Sequence, residues 1–221
     1  MAALDGPRWG PKSGGKPKLI VFLLHGLGAD GNDLIDLAPY WASAVPDALF
    51  IAPHAPQPHD GAPYGRQWFS LSDRTPVNRL AGVRLAQPVL DGAITAECAA
   101  ANLPESAVVL MGFSQGAMTA LYTGLRRAVE PAGILAFSGM LIGADTLAAE
   151  IAGRPPVLLV HGEADEVVPA EASHQAESAL AAANVPVESV YSPHLGHGID
   201  DAGLTAGALF LQRVAAPFVA A

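Results

Sequence analysis

The sequence predicts an α/β protein with a mostly parallel central sheet of about six to seven strands and helices on both faces. Three observations carry that expectation. Short apolar runs alternate with longer segments of helical spacing. Most of the runs are apolar at every position, which suits strands covered on both sides. No internal repeat or linker divides the 221 residues, a length that suits one domain.

Residues 1–18 read as an exposed N-terminal arm, and 19–221 as one domain. Pro7, Pro11, Gly14, Gly15 and Pro17 interrupt regular structure in the arm and leave room only for a short edge strand. Strands are expected near 19–24, 48–53, 106–111, 132–137, 156–161 and 186–191, each rich in Val, Ile, Leu or Phe.

Five apolar stripes at helical spacing lie between and after them. Leu34, Leu37, Ala38, Trp41 and Val45 form the first, with Pro39 as a kink. Leu90, Ile94, Cys98 and Ala101 form the second, opened by Pro88. Ala117, Met118, Leu121 and Leu125 form the third, closed by Arg126 and Arg127. Ala172, Ala176, Ala179, Leu180 and Ala183 form the fourth, and Leu204, Ala208, Leu211 and Ala215 the fifth. The stretch 54–75, rich in Pro, Gly and His, is the least regular.

Charge excludes several classes of partner. The net charge is −9, and all three lysines (Lys12, Lys16 and Lys18) sit near the N-terminus. No basic stripe is left to follow a phosphate backbone, so no nucleic acid is expected. An acidic surface is repelled by anionic headgroups, and the first apolar run, Leu19–Leu24, is far shorter than the roughly 20 residues of a span. No stable membrane association and a cytoplasmic location are expected, as a monomer or homodimer. One cysteine, Cys98, excludes an internal disulfide and a cysteine metal cluster, and its place on an apolar stripe marks it as core.

The strongest local signal is Gly112-Phe113-Ser114-Gln115-Gly116, between the strand ending at Met111 and the helix from Gln115. A serine on a sharp strand-to-helix turn lifts its hydroxyl above the sheet, and small flanking residues relieve the crowding. The helix N-terminus adds free N–H groups for a developing oxyanion. The competing reading is a glycine-rich turn with Ser114 as a helix cap.

A serine hydroxyl needs a base, and the base needs an orienting carboxylate. Four histidines follow Ser114. His161 ends a strand, and His174 lies inside a helix. His194 and His197 share the loop before the last helix, where a base can reach the serine. His197 is preferred because Gly196 and Gly198 flank it and give its loop freedom. The acid assigned is Asp165, just past a strand's C-terminal end, where the functional groups of open α/β sheets collect. Glu163 and Glu166 are close rivals, and Asp145 lies in a different loop.

The first strand runs into His25-Gly26-Leu27-Gly28-Ala29-Asp30-Gly31, where three glycines let the backbone aim N–H groups at a ligand. The amides of Leu27 and Gln115 are expected to form an oxyanion hole. A nucleotide site is disfavoured, because no Gly-Lys-Ser/Thr follows. His25 reads as structural, and Asp30 and Asp33 as caps. Trp68 and Phe69 close the irregular stretch, and both core packing and one wall of a substrate groove are open to them. Met140 and Leu141 would form the second wall.

Taken together, these segments resemble the phospholipase/carboxylesterase family of small α/β-hydrolases, which includes bacterial carboxylesterases and acyl-protein thioesterases. The matching pieces are His25–Leu34, Arg66-Gln67-Trp68-Phe69, Gly112–Ala117, His161-Gly162 with Asp165 and Val168-Pro169, and Gly196-His197. The resemblance implies an α/β-hydrolase fold, Ser114 as nucleophile, Asp165 as orienting acid and His197 as base. It implies oxyanion amides at Leu27 and Gln115, a small-molecule ester substrate, and no metal or organic cofactor. Ser70 stands where many members carry aspartate after Trp-Phe, so the groove departs from the family pattern there. A serine carboxylesterase acting on short- to medium-chain esters is expected. Acyl-thioesterase or lysophospholipase activity and a non-catalytic binding protein on the same fold are the alternatives.

Overall fold

The computed structural model describes residues 4–219. Its first half contains β1 (Arg8–Trp9), β2 (Leu19–Leu24), α1 (Gly31–Ile35), α2 (Ala38–Trp41) and β3 (Ala48–Ile51). A ribbon of β4 (Gln57–Pro58) and β5 (Arg66–Gln67) follows, then the long α3 (Pro76–Ala101). The second half alternates β6 (Val108–Phe113), α4 (Gln115–Arg126), β7 (Gly133–Phe137), α5 (Leu147–Glu150) and β8 (Val157–Gly162). It closes with α6 (Glu171–Ala182), β9 (Val187–Ser192) and α7 (Asp201–Val219).

Seven strands form the main sheet in the order β1-β3-β2-β6-β7-β8-β9. All neighbours are parallel except β1, which runs antiparallel to β3. Period-two alternation divides the core between the two faces. Ile20, Phe22, Leu24, Val108, Leu110, Ile134, Val157 and Leu159 face one way and pack with residues of α3, α4 and α6. Leu19, Val21, Leu23, Val109, Met111, Leu135, Leu158 and Val160 face the other and pack with α1, α2 and α7. The central strands are apolar at every position for this reason.

The segment expected as an exposed arm is partly held. Arg8 and Trp9 pair with Ile51 and Phe50, and the Arg8 guanidinium donates to both oxygens of Glu97 on α3 at 2.6 and 2.5 Å.

The helix expected to open at Pro88 opens twelve residues earlier, at Pro76. Thr75 caps it by accepting from the Asn78 amide (3.4 Å), and Pro76 fills the first turn, where a missing N–H does no harm. Pro88 is tolerated because it and Arg84, whose carbonyl it cannot bond, lie on an exposed face. Cys98 is buried on this helix, and burial pushes its thiol pKa up to about 11. α7 is long and apolar enough by composition to cross a membrane, yet it lays Phe210, Leu211, Val214 and Ala215 into the core.

Trp41 joins α2 to α7. It is fully buried, stacks near Phe137, and donates its indole N–H to the Leu204 carbonyl at 2.9 Å. Trp41→Ala should cost about 3–5 kcal/mol, read as a lowered midpoint in denaturant. An unchanged midpoint would contradict this packing.

Candidate active site

β6 ends at Phe113 and α4 begins at Gln115, so the chain turns through a single residue, Ser114. Its φ of 53° and ψ of −117° lie where L side chains rarely sit. The turn is held by Ser114 N–H donating to the Phe137 carbonyl (2.9 Å) and Met118 N–H donating to the Ser114 carbonyl (3.1 Å). A Cβ at Gly116 would lie 1.8 Å from the Leu24 carbonyl oxygen, so α4 can press this close to β2 only through glycine.

The acid-bearing loop leaves the C-terminal end of β8. The Asp165 side chain is fully buried and accepts three N–H groups. Oδ1 takes the amides of Val167 (2.8 Å) and Val168 (2.9 Å), and Oδ2 takes His197 Nδ1 (2.7 Å), while His161 Nε2 lies 3.2 Å from Oδ2 and is bonded to the Val168 carbonyl (2.8 Å). Burial pushes the carboxyl pKa up, but the hydrogen bonds from His197, Val168 and Val167 outweigh it and hold the group below its ordinary value. A folded-state pKa below the unfolded value of about 3.9 adds stability above that pH and loses it as pH falls through the folded value.

The histidine loop follows β9 and is tied to the acid loop. Glu163 N–H donates to the Ser192 carbonyl (2.9 Å) and Ala164 N–H to the Leu195 carbonyl (3.0 Å). A Cβ at Gly162 would lie 2.2 Å from the Leu195 carbonyl oxygen, so the loop rests directly on the β8 terminus. His197 is part-buried, and its ring contacts Phe113 with 4.8 Å between centroids. His194, Glu163 and Glu166 are exposed.

Ser114, His197, Gly26 and Leu27 line one cleft of about 360 Å³. Within the neighbouring loop, Gly28 N–H donates to the Arg66 carbonyl (2.9 Å) and Ala29 N–H to the Gly26 carbonyl (3.3 Å). The Leu27 amide has no such partner among the described residues. The Gln115 amide opens α4 and has no intrahelical acceptor. A cleft that gathers a serine hydroxyl, a carboxylate-bound imidazole and free backbone amides has the groups needed for acyl transfer.

Four expectations for the groove can be compared with this cleft. Met140 lines it. Trp68 and Phe69 do not, and each is only 1 % exposed. They are turned into the core because Trp68 N–H donates to Gln115 Oε1 (2.9 Å), Gln115 Nε2 donates to the Phe69 carbonyl (2.7 Å), and the Trp68 indole N–H donates to the His25 carbonyl (3.0 Å). Leu141 faces a neighbouring depression with Pro76, Val77 and Leu80, since the chain turns away after Met140. The walls are instead Leu71, Phe113, Met118, Val167, Val168 and Pro169, with Arg74, Arg79 and Asp33 also lining the cleft.

His25 is fully buried, and burial lowers its pKa, so the ring is neutral. The Ala55 amide donates to Nε2 (3.0 Å), which assigns the ring proton to Nδ1 and its bond to the Gly26 carbonyl (2.7 Å). Asp30 caps α1 by accepting from the Asn32 amide (2.8 Å). The roles of the Gln115 side chain and of His161 were not read from the sequence. The signal for Gln115 was a long amide side chain placed where the helix is most crowded.

The fold and the cleft define an α/β-hydrolase. The family model described as phospholipase/carboxylesterase matches residues 12–215, and the chain belongs to that family. Esterase YpfH of Escherichia coli strain K12 is 29 % identical over 182 residues, covering 82 % of this chain and 77 % of that protein. Acyl-protein thioesterase 1 of Mycosarcoma maydis is 30 % identical over 231 residues, covering 92 % and 94 %. The crystal structure of esterase PE8 superposes with a TM-score of 0.91 at 42 % identity, covering 96 % of this chain and all of that one.

Gln115→Ala should free the Trp68 amide and the Phe69 carbonyl, costing about 1–3 kcal/mol for each group left unpaired. The Trp68 amide should then exchange its hydrogen faster in deuterated buffer. Unchanged exchange at Trp68 would contradict this role.

Proposed function

We propose that the protein is a serine carboxylesterase that hydrolyses short- to medium-chain carboxylic esters through an acyl-enzyme. The observation that carries the proposal is the strained Ser114, which opens into the cleft lined by His197, whose Nδ1 is bonded to the buried Asp165. Ser114 Oγ attacks the acyl carbon as His197 Nε2 takes its proton. Asp165 keeps the opposite N–H in place and stabilises the imidazolium that forms. The amides of Leu27 and Gln115 receive the negative charge on the former carbonyl oxygen. Collapse expels the alcohol with the proton from His197. Water then repeats the sequence on the acyl-enzyme and restores the serine.

The cleft's size and apolar walls support short to medium acyl chains. Each methylene that meets wall gains up to about 0.8 kcal/mol, and the gain ends where the chain enters water. The same machinery cleaves thioesters, and the similarity to a protein named acyl-protein thioesterase 1 makes that the alternative. Ester and thioester substrates of one acyl chain, compared by kcat/KM, separate the two.

Ser114→Ala should stay folded and lose at least about 10³-fold in kcat. His197→Ala should be similarly damaging, and the exposed His194 should tolerate alanine. Retained turnover in folded Ser114→Ala, or inactivation by His194→Ala, would overturn the assignment.

Activity should fall on acidification as the base imidazole takes up a proton. Asp165, held below its ordinary range, stays ionised through that fall. Across an acyl series, kcat/KM should rise over the first few carbons and then level, with Met140→Ala flattening the rise. Equal losses at every chain length would contradict the groove.

A further inference from the structure

We propose that Arg79, with Arg74 beside it, forms an anion-binding end of the serine cleft, and that the preferred esters carry a carboxylate at the far end of the acyl chain. The inference rests on the esterase reading and names a substrate class for it.

The chain has a net charge of −9, and Arg8, Arg84, Arg126, Arg127 and Arg213 are each paired with a carboxylate. Arg74 and Arg79 line the cleft, and among the described residues neither is ion-paired. Arg79 Nε donates to the Arg74 carbonyl (2.7 Å), which holds the guanidinium in place. Nη1 donates to the Met140 sulfur (3.1 Å), a weak acceptor for a cation. Nη2 has no partner among the described residues. The group is thus fixed along one edge, with donors left over for a planar anion.

Its place on α3 points the same way. Arg79 is the fourth residue of that helix, and no acidic residue stands in the first turn. A helix N-terminus carries partial positive charge and disfavours a cation there. Arg79 therefore breaks a local rule without an internal partner to offset it, as groups reserved for a ligand do. The two guanidinium groups and the helix end add into one positive field at this side of the cleft.

Four carboxylates border the region, and none of them is paired with either arginine. Asp33 belongs to α1, on the opposite face of the sheet from α3. Asp73 is taken up by the Thr75 amide (2.8 Å) and the Asn78 side-chain amide. Asp60 and Asp145 are exposed and line the two neighbouring depressions.

The walls assign the anion to the acyl side. Arg79 and Met140 border both the cleft and the depression formed with Leu80 and Leu141, so Arg79 stands among apolar side chains. Arg74 instead adjoins the depression with His59 and Ser72. A hydrocarbon chain that follows the apolar walls to Met140 ends beside Arg79.

The test compares ethyl hemiesters of succinate, adipate and suberate with neutral alkanoate esters of matching length, by kcat/KM on the full-length protein. The hemiester whose carboxylate reaches Arg79 should be favoured over its neutral match, and added salt should narrow the gap. Arg79→Gln should lower the ratio of hemiester to neutral kcat/KM at least about tenfold. Arg79→Lys keeps the charge without the fork and should lower the ratio less. A merely structural role would lower both substrates together and leave the ratio in place. No preference for any hemiester, or an unchanged ratio in folded Arg79→Gln, would overturn the proposal.

Should Arg79→Gln fail to fold, Arg74→Gln provides the second arm. It should lower the same ratio by a smaller factor, and an unchanged ratio would overturn the proposal. A neutral acyl chain esterified to glycerol phosphate places the anion on the alcohol. Preference for that ester alone would overturn the acyl assignment. Hydrolysis of both hemiesters and neutral esters without preference would overturn only the anion site. Hydrolysis of neither would overturn the esterase reading, and this inference with it.

Discussion

Between the last residue of β6 and the first of α4 the backbone reverses at Ser114, in a conformation that only close packing on both sides sustains. That packing is the contact of Gly116 with the Leu24 and His25 carbonyls, which sets α4 directly against the end of β2. Any Cβ there would separate the helix from the strand. The loop after β2 would then lose its place beside the serine. The cleft, the orientation of the α4 N-terminus and the seating of Trp68 all depend on this one approach of helix to strand.

Around that contact the polar groups are almost fully engaged. His25 fixes the Gly26 and Ala55 backbones, Gln115 holds Trp68 and Phe69, and Arg66 ties the β5 backbone to Gly28 while its side chain reaches the Ala55 and Pro56 carbonyls. Among the described residues, the Leu27 and Gln115 amides have no backbone acceptor. On the proposed reading, donors held free by a rigid surround are already oriented, so little reorganisation would be needed when charge develops on a bound substrate. Asp165 illustrates the same principle, since three N–H groups hold it ionised and still.

Much of this was legible in the sequence, for identifiable physical reasons. β2 matches the apolar run Leu19–Leu24 residue for residue, because a central parallel strand needs apolar side chains on both faces. The Ser114 turn could be read because its chemistry is local, with glycines two residues to either side. The start of α3 was misplaced because Pro88 was given more weight than the Thr75-Pro76 cap, although an exposed proline inside a long helix is tolerable. The burial of Trp68 and Phe69 was not readable, since it depends on hydrogen bonds to Gln115, 46–47 residues away in sequence. His161 was hidden for the same reason. Its ring is held by the Val168 carbonyl and the Ser173 hydroxyl, partners 7 and 12 residues along the chain that folding brings to it.

The central claim is that Ser114 becomes covalently acylated, and active-site labelling tests it most directly. Stoichiometric fluorophosphonate should attach one phosphonyl group per chain, and peptide mass spectrometry should place it on Ser114. Labelling should be much slower at low pH, where the base imidazole is protonated. An adduct on another residue, or a folded and active protein that stays unlabelled, would contradict the account.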